Sequence, residues 1–226
     1  ITFDEYSTFL HEFGHCLHGI LSECNYESIS GTSVYRDFVE LPSQINEHWA
    51  FQPEVLKVYA KHYTTGEVIP QELVNKVIKA GKYGQGFATV EYLAASYLDM
   101  DFHVLTEIPA DLDVLKFESK VLGDRKITPQ IPPRYRSTYF NHTFGGGYTA
   151  GYYSYIWAEV LDADAFEAYL EKGNIFDQEV SAKFKKEILQ RANEDEAMTL
   201  YINFRGRKPE ITPLLINRGL IEVKKR

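Results

Sequence analysis

The sequence of 226 residues predicts a mainly α-helical protein, and two observations carry this prediction. Apolar residues recur at helical spacing through most of the chain, and no series of alternating apolar and polar segments indicates strands. Hydrophobic residues make up 44% of the chain, which is enough for a sizeable core. We predict a single domain over residues 1–226. Its helices are expected near residues 3–24, 41–62, 70–80, 86–105, 111–122, 149–172, 176–193 and 195–204.

The first predicted helix carries the most informative motif of the chain. Thr2 and Glu5 form the S/T-x-x-E pattern of a capping box, which marks where the helix begins. Further along, His11 and His15 are four residues apart, so both imidazole rings lie on one face. With Glu12 between them they form an H-E-x-x-H pattern, in which two histidines bind zinc and the glutamate acts as general base. Two surface histidines beside an incidental glutamate are the alternative, and the capped, partly apolar helix favours the metal.

A catalytic zinc site needs a third protein ligand and leaves one position for water. Glu40 is the candidate, because it directly precedes a helical pattern that starts with a proline. Two histidines with one glutamate are an established catalytic ligand set. We therefore predict one Zn²⁺ ion bound by His11, His15 and Glu40. Asp37 and Glu47 are candidates for hydrogen bonding to the free ring nitrogens, and the sequence leaves open which acid partners which ring.

A glycine-rich segment followed by tyrosines is the second candidate for chemistry. Three consecutive glycines let a backbone approach a ligand closely, so Gly146 and Gly147 are predicted to contact substrate. Tyr148, Tyr152 and Tyr155 follow at i, i+4 and i+7, and they share a face if a helix has begun there. A neutral phenol can donate a hydrogen bond to an oxyanion. A tyrosine stripe at this spacing is also typical of a core, and the preceding glycines favour the substrate-facing alternative.

Composition limits the partners of the protein. The formal net charge of −8 argues against nucleic acid, and no apolar stretch is long enough to cross a membrane. Cys16 and Cys24 have neither the spacing of a metal site nor that of a disulfide framework, so we expect free thiols in a reducing compartment. The expected location is the cytoplasm.

Several segments together resemble one enzyme family, and they span nearly the whole chain. They comprise residues 9–15, 30–32, 36–44, 45–49, 132–137, 142–157 and 205–209. In these segments the chain resembles the zinc oligopeptidases of the thimet oligopeptidase and neurolysin family, and most of all its bacterial peptidyl-dipeptidases. The resemblance implies a zincin-like helical catalytic domain, the C-terminal part of a larger neurolysin-like fold. Members of the family are much longer, so a missing N-terminal part is expected to supply the opposite wall of the substrate channel, and a signal peptide there is left open.

The resemblance also implies roles for individual residues. It makes His11, His15 and Glu40 the zinc ligands and Glu12 the general base, as the spacing predicts. Beyond these, it implies that three further side chains contact the substrate or its transition state, while a contact from Tyr152 is a weaker implication. These three are His142, Tyr148 and Tyr155.

The predicted function is that of a zinc metallopeptidase, which hydrolyses short peptides with a zinc-activated water and releases C-terminal dipeptides. Arg136, or one of the tyrosines, is the candidate for binding the carboxylate of the substrate. Ordinary salt bridges are the alternative for both Arg134 and Arg136. Two other functions are left open: an endo-acting oligopeptidase of the oligopeptidase A type, and a fragment that binds zinc or peptide without catalysis.

Overall fold

The computed structural model describes residues 1–222 of the chain, and helices dominate them. These residues contain no β-strand, and the single antiparallel bridge between Lys61 and Val68 is isolated. The predicted mainly α class is therefore confirmed. The α-helices of this part are α1 (Phe3–Leu21), α2 (Leu41–Glu47), α3 (Pro53–Tyr59), α4 (Gln71–Gly81), α5 (Gln85–His103), α6 (Val114–Asp124), α7 (Asn141–Phe144), α8 (Ser154–Lys172), α9 (Gln178–Phe184), α10 (Ala197–Arg205) and α11 (Thr212–Asn217). Among the described residues, none of these helices is both long and apolar enough to cross a membrane.

Helix α1 begins where its capping box predicts. The Glu5 amide donates to Oγ1 of Thr2 over 3.2 Å, and the Thr2 amide donates to the Glu5 carboxylate over 2.7 Å. Each side chain thus satisfies a backbone N–H that has no partner inside the helix. Asp4 and Glu5 also place negative charge in the first turn, where the helix dipole favours it.

The predicted helix over residues 41–62 is interrupted in the structure. Helix α2 passes into a short 3₁₀ segment, His48–Phe51, and α3 starts only at Pro53. The break lies at Gln52, whose backbone is extended, with φ −72° and ψ 134°. A residue before proline is disfavoured in the helical region because the proline ring clashes with it, so Pro53 ends one helix and starts the next.

The predicted helix over residues 149–172 begins later than expected, at Ser154. Gly147 and Ala150 have positive φ values of 82° and 51°, which a right-handed helix does not accommodate. The predicted helix near residues 176–193 also changes character, because a π-helical turn, Lys185–Leu189, follows α9. The short helices α7 and α11 were not predicted, since four and six residues are too few to show a helical period.

The chain divides into two compact units. Unit 1 comprises Ile1–Tyr83 together with the chain from Ile156 onward, and unit 2 comprises Gly84–Tyr155. The core of unit 1 joins side chains of α2 to side chains of α8, α9 and α10. Its buried members are Phe38, Leu41, Ile45, Leu161, Ala165, Phe166, Tyr169, Ile175, Val180, Phe184, Ile188, Leu189, Leu200, Tyr201 and Phe204. That residues 1–226 form one catalytic domain stays a prediction.

A buried acid ties the C-terminal part of unit 1 to α8. Asp164 is fully buried, and its carboxylate accepts a hydrogen bond of 2.6 Å from the Tyr201 hydroxyl. Arg207 lies 2.7 Å and Arg205 3.4 Å from the same carboxylate. A buried charge costs several kcal/mol without such partners, so this group holds α8, α10 and the following turn in one arrangement.

Unit 2 is built on α5 and α6, whose aromatic side chains meet. The ring centroids of Phe102 and Phe117 are 4.5 Å apart, and Phe144 of α7 meets the Phe102 ring edge-on at 5.5 Å. Glu118 of α6 is buried although it is charged. Both helices thereby support the segment that leads to the glycines and tyrosines.

Candidate metal centre and active site

Three predicted ligands meet in unit 1. His11 and His15 lie one turn apart on α1, and Glu40 comes directly before α2. Oε2 of Glu40 is 3.3 Å from Nε2 of His11 and 3.2 Å from Nε2 of His15. Two atoms that each lie about 2.0–2.1 Å from a zinc ion at the tetrahedral angle are about 3.4 Å apart. The three donor atoms therefore have the chemistry and the spacing of a zinc site.

The carboxylate of Glu40 is held in place by its own helix. Glu40 is only 3% exposed, and Ser43 one turn later donates its hydroxyl to Oε2 of Glu40 over 2.9 Å. Glu40 also occupies the N-cap position of α2, where the helix dipole favours negative charge. These contacts orient the carboxylate toward the two histidines before any metal binds.

A fourth residue, Glu47, contacts the ring nitrogen of His11 that does not face Glu40. Its Oε1 lies 2.8 Å from Nδ1 of His11, and its Oε2 accepts a hydrogen bond of 2.9 Å from Ser7. Such a contact fixes the ring so that Nε2 faces the metal position. Of the two candidate acids, Glu47 therefore contacts a ligand ring, whereas Asp37 lies beside Phe38 at a separate cavity of about 340 Å³.

The electrostatics of the site favour a cation. Burial lowers the pKa of His11, but hydrogen bonds to Glu40 and Glu47, together with the charges of these acids, outweigh burial and raise it to about 10. The same negative potential that favours a proton on His11 favours a divalent cation. The residues present thus fit a resident Zn²⁺ ion.

The close approach of α2 to α1 depends on a glycine between the two histidines. Gly14 is buried, and a Cβ atom there would lie less than 3.0 Å from the carbonyl oxygen of Pro42 and from Cα of Ser43. The atoms that the Cβ would meet belong to the backbone of α2, which cannot move aside as the end of a flexible side chain can. Without Gly14, the helix that carries Glu40 could not pack this near to the histidines.

We expect Gly14→Ala to lower the free energy of unfolding by about 1–3 kcal/mol, because the added methyl group forces α1 and α2 apart. Zinc affinity should fall with it, since Glu40 moves away from the histidines. Denaturant unfolding and a zinc titration against a competing chelator measure the two effects.

Gly19→Ala is the matched control on the same helix. A Cβ atom at Gly19 meets nothing within 4 Å, so this change should leave zinc affinity intact and stabilise the helix by about 0.5–1 kcal/mol. Equal behaviour of the two variants would contradict the role given to Gly14.

Glu12 lies beside the ligands and differs from them in exposure. Its side chain is exposed, and it forms no hydrogen bond or ion pair with any residue of the described part of the chain. Adjacent helical positions differ by about 100°, so Glu12 points away from the direction shared by His11 and His15. Glu12 is therefore not a candidate ligand, and its carboxylate is accessible to water.

The predicted substrate-contacting side chains form an aromatic cluster in unit 2. The Tyr148 and Tyr155 rings stack with centroids 4.9 Å apart, and the His142 ring lies 6.3 and 6.4 Å from them. His142 is half-buried, and burial lowers its pKa, with a smaller contribution from the positive charge of Arg134. The cluster therefore combines phenols with a histidine that favours its neutral form.

Tyr152 belongs to the core of unit 2. It is 2% exposed, and its ring packs against Tyr92 and Phe140 at 5.0 and 4.9 Å. Its backbone amide donates to the carboxylate of Asp99, and its carbonyl oxygen accepts a hydrogen bond from the Tyr92 hydroxyl. This burial fits the packing alternative for Tyr152 better than contact with substrate.

The glycines build a tight turn before the tyrosines. The amides of Gly145 and Gly146 both donate to the carbonyl oxygen of Asn141, over 2.8 and 2.6 Å. A Cβ atom on Gly146 would lie 3.0 Å from Cα of His142, and Gly147 has a positive φ of 82°. Lack of space for a side chain at Gly146 and the positive φ at Gly147 therefore explain why glycine occupies these two positions. Their contact with substrate stays a prediction.

Asp99 is a residue of this cluster that sequence reasoning missed. It is fully buried on α5 and accepts hydrogen bonds from the amides of Ala150 and Tyr152, over 3.0 and 2.9 Å. His103 lies 3.0 Å from the same carboxylate. The turn that leads into α8 is thus fixed by an acid far away in sequence. An aspartate among the apolar residues of α5 was the available signal.

Arg136, the candidate for carboxylate binding, already has a partner. Its guanidinium forms an ion pair with Glu118, which is 2% exposed. The amide and hydroxyl of Ser137 donate to the other oxygen of Glu118, each over 2.9 Å. The salt-bridge alternative is therefore the one that the structure contains for Arg136.

Residues 1–220 match the model of Peptidase family M3. The match includes the three candidate ligands, Glu12 and the aromatic cluster of unit 2.

Individual relatives are similar over almost the whole chain. The dipeptidyl carboxypeptidase of Escherichia coli (strain K12) is 45% identical over 221 residues, and the oligopeptidase A of the same strain is 38% identical over 223 residues. The probable cytosolic oligopeptidase A of Arabidopsis thaliana is 34% identical over 226 residues. These alignments cover 97%, 97% and 98% of this chain but 32% of each relative. The chain thus spans about a third of the length of these relatives.

Proposed function

Because this chain belongs to peptidase family M3, we propose that it carries the catalytic centre of a zinc metallopeptidase that hydrolyses short peptides. The spacing of Nε2 of His11, Nε2 of His15 and Oε2 of Glu40 is the observation that carries the proposal, because it fits the edges of a zinc coordination tetrahedron. The exposed Glu12 beside this set supplies the base that peptide hydrolysis requires.

His11, His15 and Glu40 would hold the Zn²⁺ ion, which would supply a Lewis acid for the scissile carbonyl group and for a water molecule. Glu12 accepts a proton from the attacking water and later donates it to the leaving amine. Glu47 keeps the His11 ring oriented through Nδ1. We assign the hydroxyls of Tyr148 and Tyr155 and the neutral ring of His142 to hydrogen bonds with the substrate and its oxyanion, on the strength of the family resemblance and of their clustering.

Release of C-terminal dipeptides is the more specific part of the proposal. Identity to the dipeptidyl carboxypeptidase of Escherichia coli, at 45%, exceeds identity to its oligopeptidase A, at 38%. Endo-acting cleavage is therefore the second candidate.

Product analysis by mass spectrometry separates these candidates. The natural protein that contains this chain, and residues 1–226 alone, should each be incubated with zinc and with short peptides that carry free or amidated C-termini. We expect stepwise loss of dipeptides from free C-termini. Internal cuts in both peptide series would favour the endo-acting candidate.

The same experiment tests whether this chain is sufficient for activity. A further N-terminal part, which the greater length of the relatives implies, is proposed to complete the substrate channel, so residues 1–226 alone should bind zinc yet cleave more slowly than the natural protein. Cleavage by neither protein would contradict the peptidase proposal and favour a module that binds zinc or peptide without catalysis.

The proposed setting is the cytoplasm, with short peptides as partners and with neither nucleic acid nor membrane. Cys16 and Cys24 are free thiols, as predicted, which fits a reducing compartment. The relative from Arabidopsis thaliana is named a probable cytosolic oligopeptidase A.

A further inference from the structure

Two arginines, two residues apart in unit 2, have opposite surroundings. Arg136 is neutralised by the buried Glu118, whose second oxygen is taken up by Ser137. Breaking this arrangement would leave a buried carboxylate without a charged partner, which is strongly destabilising. The charge of Arg136 is therefore already balanced by Glu118.

Arg134 has an exposed guanidinium without an acidic partner among residues 1–222. Its backbone amide donates to the carbonyl oxygen of Glu91 over 3.0 Å, so the chain is anchored at this point, and the buried Pro133 precedes it. Its exposed guanidinium forms no ion pair and no side-chain hydrogen bond with any of residues 1–222. It lies over the Tyr135 ring, 6.0 Å from the ring centroid.

Tyr135 lies between the guanidinium of Arg134 and the aromatic cluster of His142, Tyr148 and Tyr155. The Tyr135 ring, over which the guanidinium lies, is 4.8 Å from the His142 ring. The charge of Arg134 also reaches His142, because it adds to burial in lowering the pKa of that ring. An accessible cation without a carboxylate partner thus lies beside the histidine that is assigned to substrate contact.

We propose that Arg134 binds the free C-terminal carboxylate of the peptide substrate and so determines the preference for cleavage near a C-terminus. A guanidinium presents a planar fork of N–H donors that matches a carboxylate in a bidentate geometry. The aromatic ring below it orients the guanidinium plane and leaves the outward N–H groups for the ligand. This inference rests on the proposed function, and it moves the role expected of Arg136 to Arg134.

The test compares one peptide sequence with a free and with an amidated C-terminus, using the natural zinc-loaded protein that contains this chain. We expect Arg134→Gln to lower kcat/KM on the free peptide by about 10- to 100-fold, which is the range for a hydrogen bond to a charged group. The amidated peptide lacks the carboxylate, so its kcat/KM should change little. Arg134→Lys keeps the charge without the fork and should retain part of the preference.

Arg125→Gln is the matched control, because Arg125 is another arginine of unit 2 and already forms an ion pair with Asp101. It should leave the preference for the free peptide unchanged. If the amidated peptide is cleaved too slowly to measure, competitive inhibition by a dipeptide and by its amide gives the same comparison.

The outcomes separate this inference from the proposed function. An unchanged preference in Arg134→Gln would overturn the role of Arg134 alone, as would loss of the preference in a folded Arg136→Gln variant while Arg134→Gln keeps it. Equal cleavage of both peptides by the unaltered enzyme would overturn this inference together with dipeptide release. Absence of any cleavage would overturn the peptidase proposal itself.

Discussion

Replacing Glu12 by Gln should abolish measurable turnover while leaving zinc bound. The amide has nearly the shape of the carboxylate but cannot accept a proton, and positioned acid–base groups contribute about 10²- to 10⁴-fold to a rate. Glu12 is exposed and contacts none of the ligand side chains, so the metal centre should persist without its charge. Steady-state kinetics and the zinc content of the purified variant measure the two effects.

Glu27→Gln is a suitable control for the loss of one carboxylate. Glu27 is also exposed and lies in the 3₁₀ segment Glu27–Ile29 of the same unit, outside the candidate site. This variant should keep full activity. Hydrolysis by Glu12→Gln at the rate of the unaltered enzyme would rule out Glu12 as the base, and loss of its zinc would show that Glu12 acts on the metal site instead.

Tyr155→Phe should lower kcat by about 10²- to 10³-fold with little change in KM. This is the range for removal of one oxyanion donor, about 2.7–4 kcal/mol, when the hydrogen bond is made only in the transition state. Tyr155 lies in the first turn of α8 and its ring stacks on Tyr148, a contact that phenylalanine preserves. The variant therefore removes the hydroxyl and keeps the packing.

Tyr139→Phe provides the comparison for Tyr155→Phe. Tyr139 is 59% exposed, lies in the same unit and is assigned no role in the site. The kcat and KM of Tyr139→Phe should therefore equal those of the unaltered enzyme. A normal kcat in Tyr155→Phe would leave Tyr155 with a packing role only. A rise in KM with constant kcat would instead place its hydroxyl on the ground-state substrate.

The parts of the candidate site whose geometry follows from the sequence depend on local rules. The capping box at Thr2 and the four-residue spacing of His11 and His15 fix a helix and the face that its rings share. The approach of Glu40 to these rings was predicted from the ligand requirements of zinc. Its physical cause is the backbone contact at Gly14, which no hydrophobic period reveals.

The tyrosine segment shows where local rules fail. Residues 148, 152 and 155 were expected to share a helix face, yet the chain before Ser154 forms turns. Tyr148 and Tyr155 still stack, because Asp99 on another helix holds the amides of the intervening turn. A hydrogen bond across 51 residues of sequence overrides the helical period and cannot be derived from it.

The ion pair of Arg136 is not predictable from the sequence for a similar reason. Its partner Glu118 lies on α6 and faces a buried position, which is a consequence of how the helices pack. From the sequence, Arg134 and Arg136 are equivalent loop cations. Only the three-dimensional arrangement distinguishes the neutralised arginine from the available one.

The discontinuity of unit 1 has a consequence for how the protein is made. A ribosome synthesises α1 and α2 before it synthesises unit 2, and α8, α9 and α10 follow only after unit 2. Phe38, Leu41 and Ile45 pack in one core with residues as late as Phe204, so the stretch that bears the candidate ligands cannot complete its packing until α10 has been synthesised. His11, His15 and Glu40 are therefore synthesised long before the core that supports α2 is complete, and we expect stable binding of the proposed metal only after α10 has joined that core.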